Sequence, residues 1–262
     1  MSEIVKTDAI VLKGMKYRET SKIITFYTRR FGKVKGIAKG VRQAKNKFGS
    51  SLEPLSHVSL VIYKKDHQEL HLVSQCDIIQ SFKHLSDDLE KMSVALSMIE
   101  LVDKISHDEE QNEPLFDLLL SMLVVTNGSL KNVKNLFYVF EIRLAGLLGF
   151  RPQFDVCANC TRAVIDQKPV QKTMYFHFAK GGPLCVSCSD IRGLKSRIEI
   201  SSLRILKAFS RRASLESLTN IELKKDSGVE IAQLLQSYLR FHVEGLRNLK
   251  TEKIFSQILA VY

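Results

Sequence analysis

The hydrophobic pattern of this chain changes period near residue 82, and that change limits the folds open to it. Before it, short apolar runs rich in β-branched and aromatic residues are separated by turn residues. They lie at Ile4–Leu12, Ser21–Thr28, Lys33–Ala38, Leu55–Tyr63 and Leu70–Ile79. Gly32 marks a turn, Gly36 and Gly40 mark bends or bulges, and Lys64 to Gln68 reads as the last hairpin. Five short strands with internal glycines in about 80 residues predict a small closed β-barrel of the OB type. From Ser86 onward the apolar residues take a helical spacing: Leu89, Met92, Ala95, Leu96, Ile99, Val102.

Further helices are expected from Leu115 to Val125 after Pro114, from Ser129 to Leu148, from Ser201 to Ala213, and from about Gly228 to Leu249. The class is therefore α+β and multidomain. A barrel covers residues 1–82. A helical domain begins over 83–153 and resumes over 194–262. The segment 154–193 breaks the helical pattern and is read as an insertion in that all-α domain.

The insertion holds four of the five cysteines, as Cys157-x-x-Cys160 and Cys185-x-x-Cys188. Two residues between thiolates allow a tight turn around one ion, and four thiolates suit tetrahedral zinc. The 24-residue spacer requires a small hairpin, with Lys172–Phe178 as one strand. A structural Zn2+ is the favoured reading; redox CxxC pairs or disulfides are the alternative. His177 could stand in for a cysteine ligand, but a solvated or packed hairpin histidine is expected. Cys76, in a strand-like run, is expected to behave as a small buried hydrophobe.

Charge is distributed unevenly. Residues 11–50 carry twelve Lys and Arg and one acid, Glu19, whereas residues 81–150 carry six cations and eleven acids. Such asymmetry points toward phosphate backbones or an anionic membrane surface. The stretch KVKGIAKGVRQAKNKF, from Lys33 to Phe48, is too rich in apolar residues for a disordered tail. Alternation turns Val34 inward and Lys33 and Lys35 outward. The expected surface for nucleic-acid backbones is Lys13, Lys16, Arg18, Lys22, Arg29, Arg30, Lys33, Lys35, Lys39, Arg42, Lys45 and Lys47. Tyr17, Tyr27, Phe31 and Phe48 are candidate stacking platforms, with core packing the alternative for each. A secondary cationic patch is expected around the cysteines, from Lys168, Lys172, Lys180, Arg192, Lys195 and Arg197.

No catalytic constellation is found: there is no Walker motif, GxGxxG, GxSxG or HExxH. Asp87-Asp88 and Asp108-Glu109-Glu110 are read as loop or helix-end acids rather than as metal sites. No apolar run reaches membrane-spanning length, and no signal peptide or lipidation box is evident, so a cytosolic, non-enzymatic protein with no membrane partner is expected.

The string from Gly14 to Thr28 (GMKYRETSKIITFYT), followed by Gly32-Lys33 and Ala38-Lys39-Gly40-Val41-Arg42, resembles the start of the bacterial RecO recombination-repair family. Gly149-Phe150-Arg151-Pro152 leading into Cys157 is similar to that family's helix-to-zinc junction. Thr161 departs from it, since many members carry glycine after the second cysteine. The resemblance spans the whole chain and implies an OB-fold amino-terminal domain, a helical domain and a zinc-binding insertion. It implies binding of single- and double-stranded DNA, strand annealing, and work with RecR that helps RecA displace single-strand-binding protein in the RecF pathway of homologous recombination. It also implies that the carboxy-terminal tail of single-strand-binding protein docks on the helical domain. Arg143, Lys131, Lys134, Arg204 and Lys207 are the cations available there. A cytoplasmic, nucleoid-associated location would follow. The alternative from a different class is an RNA-binding barrel-and-ribbon protein of the translation machinery.

Overall fold

The structure, a computed structural model, describes residues 2–43, 46–65, 68–164, 172–211, 213–246 and 249. It contains two compact units, residues 1–128 and 129–262. Lys45 and Lys168 lie outside the described residues.

The first unit begins with five strands: β1 (Ser2–Tyr17), β2 (Ser21–Thr28), β3 (Gly32–Ala38), β4 (His57–Lys65) and β5 (Leu70–Gln80). The 16-residue β1 serves two partners. Its first part pairs antiparallel with β4, from Ser2 opposite Lys65 to Ile10 opposite His57. Its second part pairs with β2, and the register shifts between Val11 and Lys13. β3 runs parallel to β5, and β5 returns antiparallel to β4. The order β1-β2-β3-β5-β4 therefore closes into a barrel, with a three-residue parallel seam between β3 and β5.

The alternation read from the sequence fills the barrel. In β3, Val34, Gly36 and Ala38 are buried while Lys33, Lys35 and Ile37 are half-buried on the outer side. Val34 and Ala38 join Val11, Ile24, Phe26 and Leu60 in one apolar core. Gly36 permits the approach of β3 to β5, since a Cβ there would stand 2.6 Å from Val73 Cγ2. Gly32 turns the chain from β2 into β3 at φ +61°, and a Cβ there would stand 1.9 Å from the Glu110 carbonyl oxygen.

The unit continues with α1 (Lys83–Ser86), α2 (Leu89–Ile105) and α3 (Glu113–Gly128). Asp88 caps α2 by accepting from the backbone N–H groups of Glu90 and Lys91 at 2.8 and 3.1 Å. Asn112 does the same for α3, accepting from Leu115 N–H at 3.0 Å.

The second unit comprises α4 (Lys134–Leu147), β6 (Thr173–His177), β7 (Gly182–Leu184), β8 (Lys195–Glu199), α5 (Ile200–Ser210), α6 (Leu215–Leu218) and α7 (Lys225–His242). The three strands form one antiparallel sheet in the order β7-β6-β8. Helix α4 starts later than the sequence suggests because Asn132 sits at φ +48°, outside the helical region. Helix α7 stops at His242, since Val243 is extended. Aromatic packing holds sheet to helix. Tyr238 of α7 meets Phe176 and Phe178 edge-on, and its hydroxyl donates to the Phe150 carbonyl at 2.7 Å.

Candidate nucleic-acid interface and metal centre

The structure divides the cations of the barrel into two groups. The first gathers at one rim, where the β1–β2 turn meets the loop after β3. Arg42 N–H donates to the Thr20 carbonyl at 3.1 Å, and the Arg42 guanidinium donates to the Glu19 carbonyl at 2.9 Å. Lys16 stands directly opposite Lys22 across the β1–β2 ladder, and Ala38, just before Lys39, is the next strand's partner of Lys22. Lys16, Arg18, Lys39 and Arg42 are exposed, with no carboxylate partner among the described residues. Lys22 pairs with Glu53 at 3.1 Å. Arg18 holds a left-handed conformation at φ +51°, and its guanidinium lies 5.2 Å from the centre of the Tyr17 ring. Lys47, also exposed, donates to the Ser74 carbonyl and lies over Phe48.

The second group is met by acids. The segment joining α2 to α3, with the adjoining helix ends, brings carboxylates to the outer face of the barrel. Lys13 pairs with Asp103. Lys33 donates to the Asp103 carbonyl at 2.9 Å and stands 3.6 Å from Asp108. Lys35 meets Asp108 at 2.7 Å. Arg29 holds Glu113 at 2.8 Å and Asp117 at 2.6 Å. Lys64, which the sequence reading did not single out, meets Glu109 at 2.6 Å, and the buried His71 ring meets the other oxygen of Glu109 at 2.8 Å. A backbone bond from Glu109 N–H to the Lys33 carbonyl, 2.8 Å, fixes the segment along β3. Partial burial opposes ionisation of Asp108, but Lys35 and Lys33 outweigh it and hold the carboxyl below its ordinary range. Glu109 is held low in the same way by Lys64 and His71. Arg30 belongs to neither group; it donates to the Lys6 carbonyl at 3.2 Å and lies 5.2 Å from the Phe31 ring centre.

Of the four candidate platforms, Tyr27 and Phe48 are buried and serve the barrel itself. Burial pushes the Tyr27 phenol up to about 12. Tyr17 and Phe31 remain half-buried, each under a guanidinium. Cys76 is buried as expected, its thiol raised to about 11 by burial. His57 is buried against Phe116, and desolvation lowers its pKa.

In the second unit, the sulfurs of Cys157, Cys160, Cys185 and Cys188 all lie within 4.8 Å of one another. The first knuckle is closed by Thr161 N–H donating to the Cys157 carbonyl at 2.9 Å. The second is a single 3-10 turn, Val186–Cys188. Ala158 N–H donates to the Pro183 carbonyl at 2.8 Å and ties the first knuckle to the hairpin. Backbone N–H groups also approach the sulfurs, as Cys185 N–H does Cys157 Sγ at 3.3 Å. Burial opposes ionisation of Cys157, yet these N–H groups bring its thiol down to about 6. None of the four cysteines is joined in a disulfide in this structure. Tetrahedral zinc, with bonds of about 2.3 Å, needs sulfurs about 3.8 Å apart. The Cys160 and Cys185 sulfurs are 3.6 Å apart, so the donor set and its spacing fit a metal ion. His177 is not part of the cluster; its ring bonds the Arg192 carbonyl and Lys180 N–H.

Two family models, Recombination protein O N terminal and Recombination protein O C terminal, match residues 1–82 and 86–252. The chain belongs to the RecO family. A DNA repair protein RecO of Chloroherpeton thalassium is 33% identical over 258 residues, covering 98% of this chain and 99% of that protein. Another, of Prosthecochloris aestuarii, is 31% identical over 97% of this chain and 98% of its own length. A third, of Syntrophus aciditrophicus, is 31% identical over 97% and 95%. These RecO relatives speak for DNA repair and recombination, and they give the translation-machinery reading no support. Among the described residues, no helix is long and apolar enough to cross a membrane.

Proposed function

We propose that this RecO-family chain is a non-enzymatic DNA-binding mediator of recombinational repair. It binds single- and double-stranded DNA, anneals complementary strands, and with RecR helps RecA load onto strands coated by single-strand-binding protein. The observation that carries this reading is the rim of Lys16, Arg18, Lys39 and Arg42, cations without carboxylate partners among the described residues, on a closed five-stranded barrel. The strand order supports an OB fold over residues 1–82, a fold that binds oligonucleotides on such surfaces.

The mechanism is electrostatic. Two DNA strands repel, and a cationic surface that releases their counterions holds them at high local concentration until bases pair. No bond is made or broken by the protein. Lys13, Arg29, Lys33 and Lys35 contribute less than the rim, because their charge is already met by Asp103, Asp108, Glu113 and Asp117. Cys157, Cys160, Cys185 and Cys188 would hold a structural Zn2+ in the insertion 154–193, and the ion would fix the two knuckles. For the acidic tail of single-strand-binding protein, Arg143 is the candidate in the second unit. It is half-buried, and desolvation together with neighbouring Arg151 lowers its pKa, a setting that an anionic group would relieve.

The test is an annealing assay with complementary oligonucleotides coated by single-strand-binding protein. The wild-type chain accelerates pairing, and a triple change of Lys16, Lys39 and Arg42 to Glu abolishes the acceleration. Unchanged annealing by that folded variant refutes the rim assignment.

A further inference from the structure

We propose that the β6–β8 part of the outward sheet face is a second contact for single-stranded nucleic acid, with Tyr175 as its stacking platform. The proposal rests on the nucleic-acid reading above and adds a site in the second unit. Strand alternation defines the face. Phe176 and Ile198 turn inward and are buried, so Tyr175 and its cross-strand partner Arg197 turn outward and are exposed. The core has no need of Tyr175. The two fully buried tyrosines of this unit, Tyr138 and Tyr238, each donate a hydroxyl hydrogen bond to a backbone carbonyl. Among the described residues, the Tyr175 hydroxyl makes none.

Cations frame the ring. Lys195 Nζ lies 5.1 Å from its centre, anchored by donating to the Ser189 carbonyl at 2.6 Å. Arg197, the cross-strand partner of Tyr175, donates through Nε to Thr173 Oγ1 at 3.0 Å, and it pairs with no carboxylate among the described residues. Residues 172–197 carry five Lys and Arg and one acid, Asp190. Glu199, opposite Thr173 on the same face, accepts a hydrogen bond from the Ser201 hydroxyl at 2.9 Å, and its N–H donates to the Glu230 carboxylate at 2.9 Å. An exposed ring flanked by two cations whose backbone and side-chain bonds hold them in place matches the needs of a base and its neighbouring phosphates.

The chain contains no tryptophan, so Tyr175→Trp introduces a single indole at the proposed platform. Titration with an oligothymidylate should quench that indole, and Tyr175→Ala should bind the oligomer about five-fold or more weakly, while Tyr175→Phe binds like wild type. Arg197→Gln should lower the salt slope of binding by about 0.7. Zinc content and circular dichroism confirm that each variant is folded. If the oligomer binds by anisotropy while the indole is unmoved and Tyr175→Ala binds normally, this site is overturned and the barrel reading stands. An indole that responds to anionic vesicles and not to the oligomer overturns it in favour of a membrane surface. If the wild-type chain binds no oligomer, both readings fall together.

Discussion

The Lys35 ammonium stands 2.7 Å from the Asp108 carboxylate, across 73 positions of sequence. Alternation turns Lys35 outward, but the segment between α2 and α3 follows it there. The hydrogen bond to Asp108 is the main reason the Lys35 pKa is raised. A lysine already neutralised by the protein releases few counterions when a phosphate arrives, whereas the Arg42 guanidinium, among the described residues, bonds backbone carbonyls and no carboxylate. We therefore expect Arg42→Gln to reduce the slope of log affinity against log salt by about 0.7 for single strands. Lys35→Gln should change that slope far less and instead cost stability, on the scale of about 0–1 kcal/mol for an exposed pair. Equal slopes for the two variants would mean that the acids yield to DNA.

That pairing marks the limit of what the sequence discloses. The barrel strands were legible because a period of two is local, and β2 is found at Ser21–Thr28 as read. The four cysteines were legible because their spacing encodes the turn. The acids at Asp108 and Glu109 were visible as charges, but nothing near them names Lys35 or Lys64 as partners. Strand β8, Lys195–Glu199, escaped because KSRIE is short and mostly polar; only pairing to β6 makes it a strand. Tyr27 and Phe48 look like platforms among cations, and only burial reveals them as core.

Acid should unfold the first unit in two stages. His57 is depressed by burial, with Asp8 partly opposing and Arg29 adding to the effect, so below about pH 6.5 the unfolded chain binds more protons than the folded one. Stability thus begins to fall as the pH drops through about 6.5. Asp108 and Glu109 are also depressed in the fold, and their contribution, intact above about pH 4, is lost as the pH falls below it. Denaturant midpoints at pH 7.5, 5.5 and 3.5 should fall at both steps. His57→Leu should flatten the first step and leave the second. A wild-type midpoint unchanged between pH 7.5 and 5.5 would refute the assignment to His57.

Removal of a metal held by Cys157, Cys160, Cys185 and Cys188 should act on the second unit. Displacing thiolate-bound ions with a mercurial should release about one zinc per chain. Cys160→Ser, which leaves three thiolates where structural sites use four, should retain far less. Because ligand binding and folding are coupled at such sites, the stripped chain should become open to proteolysis between the knuckles and β8, around residues 157–199. Full protease resistance after complete release would show that the hairpin stands without an ion.

Thr161 occupies a position that the first knuckle makes costly. Its φ is +60°, imposed by a turn in which Thr161 N–H bonds the Cys157 carbonyl and Cys157 N–H bonds the Arg162 carbonyl at 2.7 Å. A β-branched residue is strained in the left-handed region by about 1–2 kcal/mol, and glycine is not. Thr161→Gly relieves that strain but gives the unfolded chain more freedom, an opposing effect of about 0.4–1 kcal/mol. It also loses the Thr161 hydroxyl bond to the Cys160 carbonyl, 2.7 Å. The strain is the larger effect, because that hydroxyl bond is solvent-exposed and adds little. We expect a gain of about 0.5 kcal/mol, read as a small rise in the melting temperature of the chain, and little change for Thr161→Val, which keeps the branch and loses only the exposed hydroxyl. A lower melting temperature for Thr161→Gly would show that the hydroxyl, not the backbone, governs this turn.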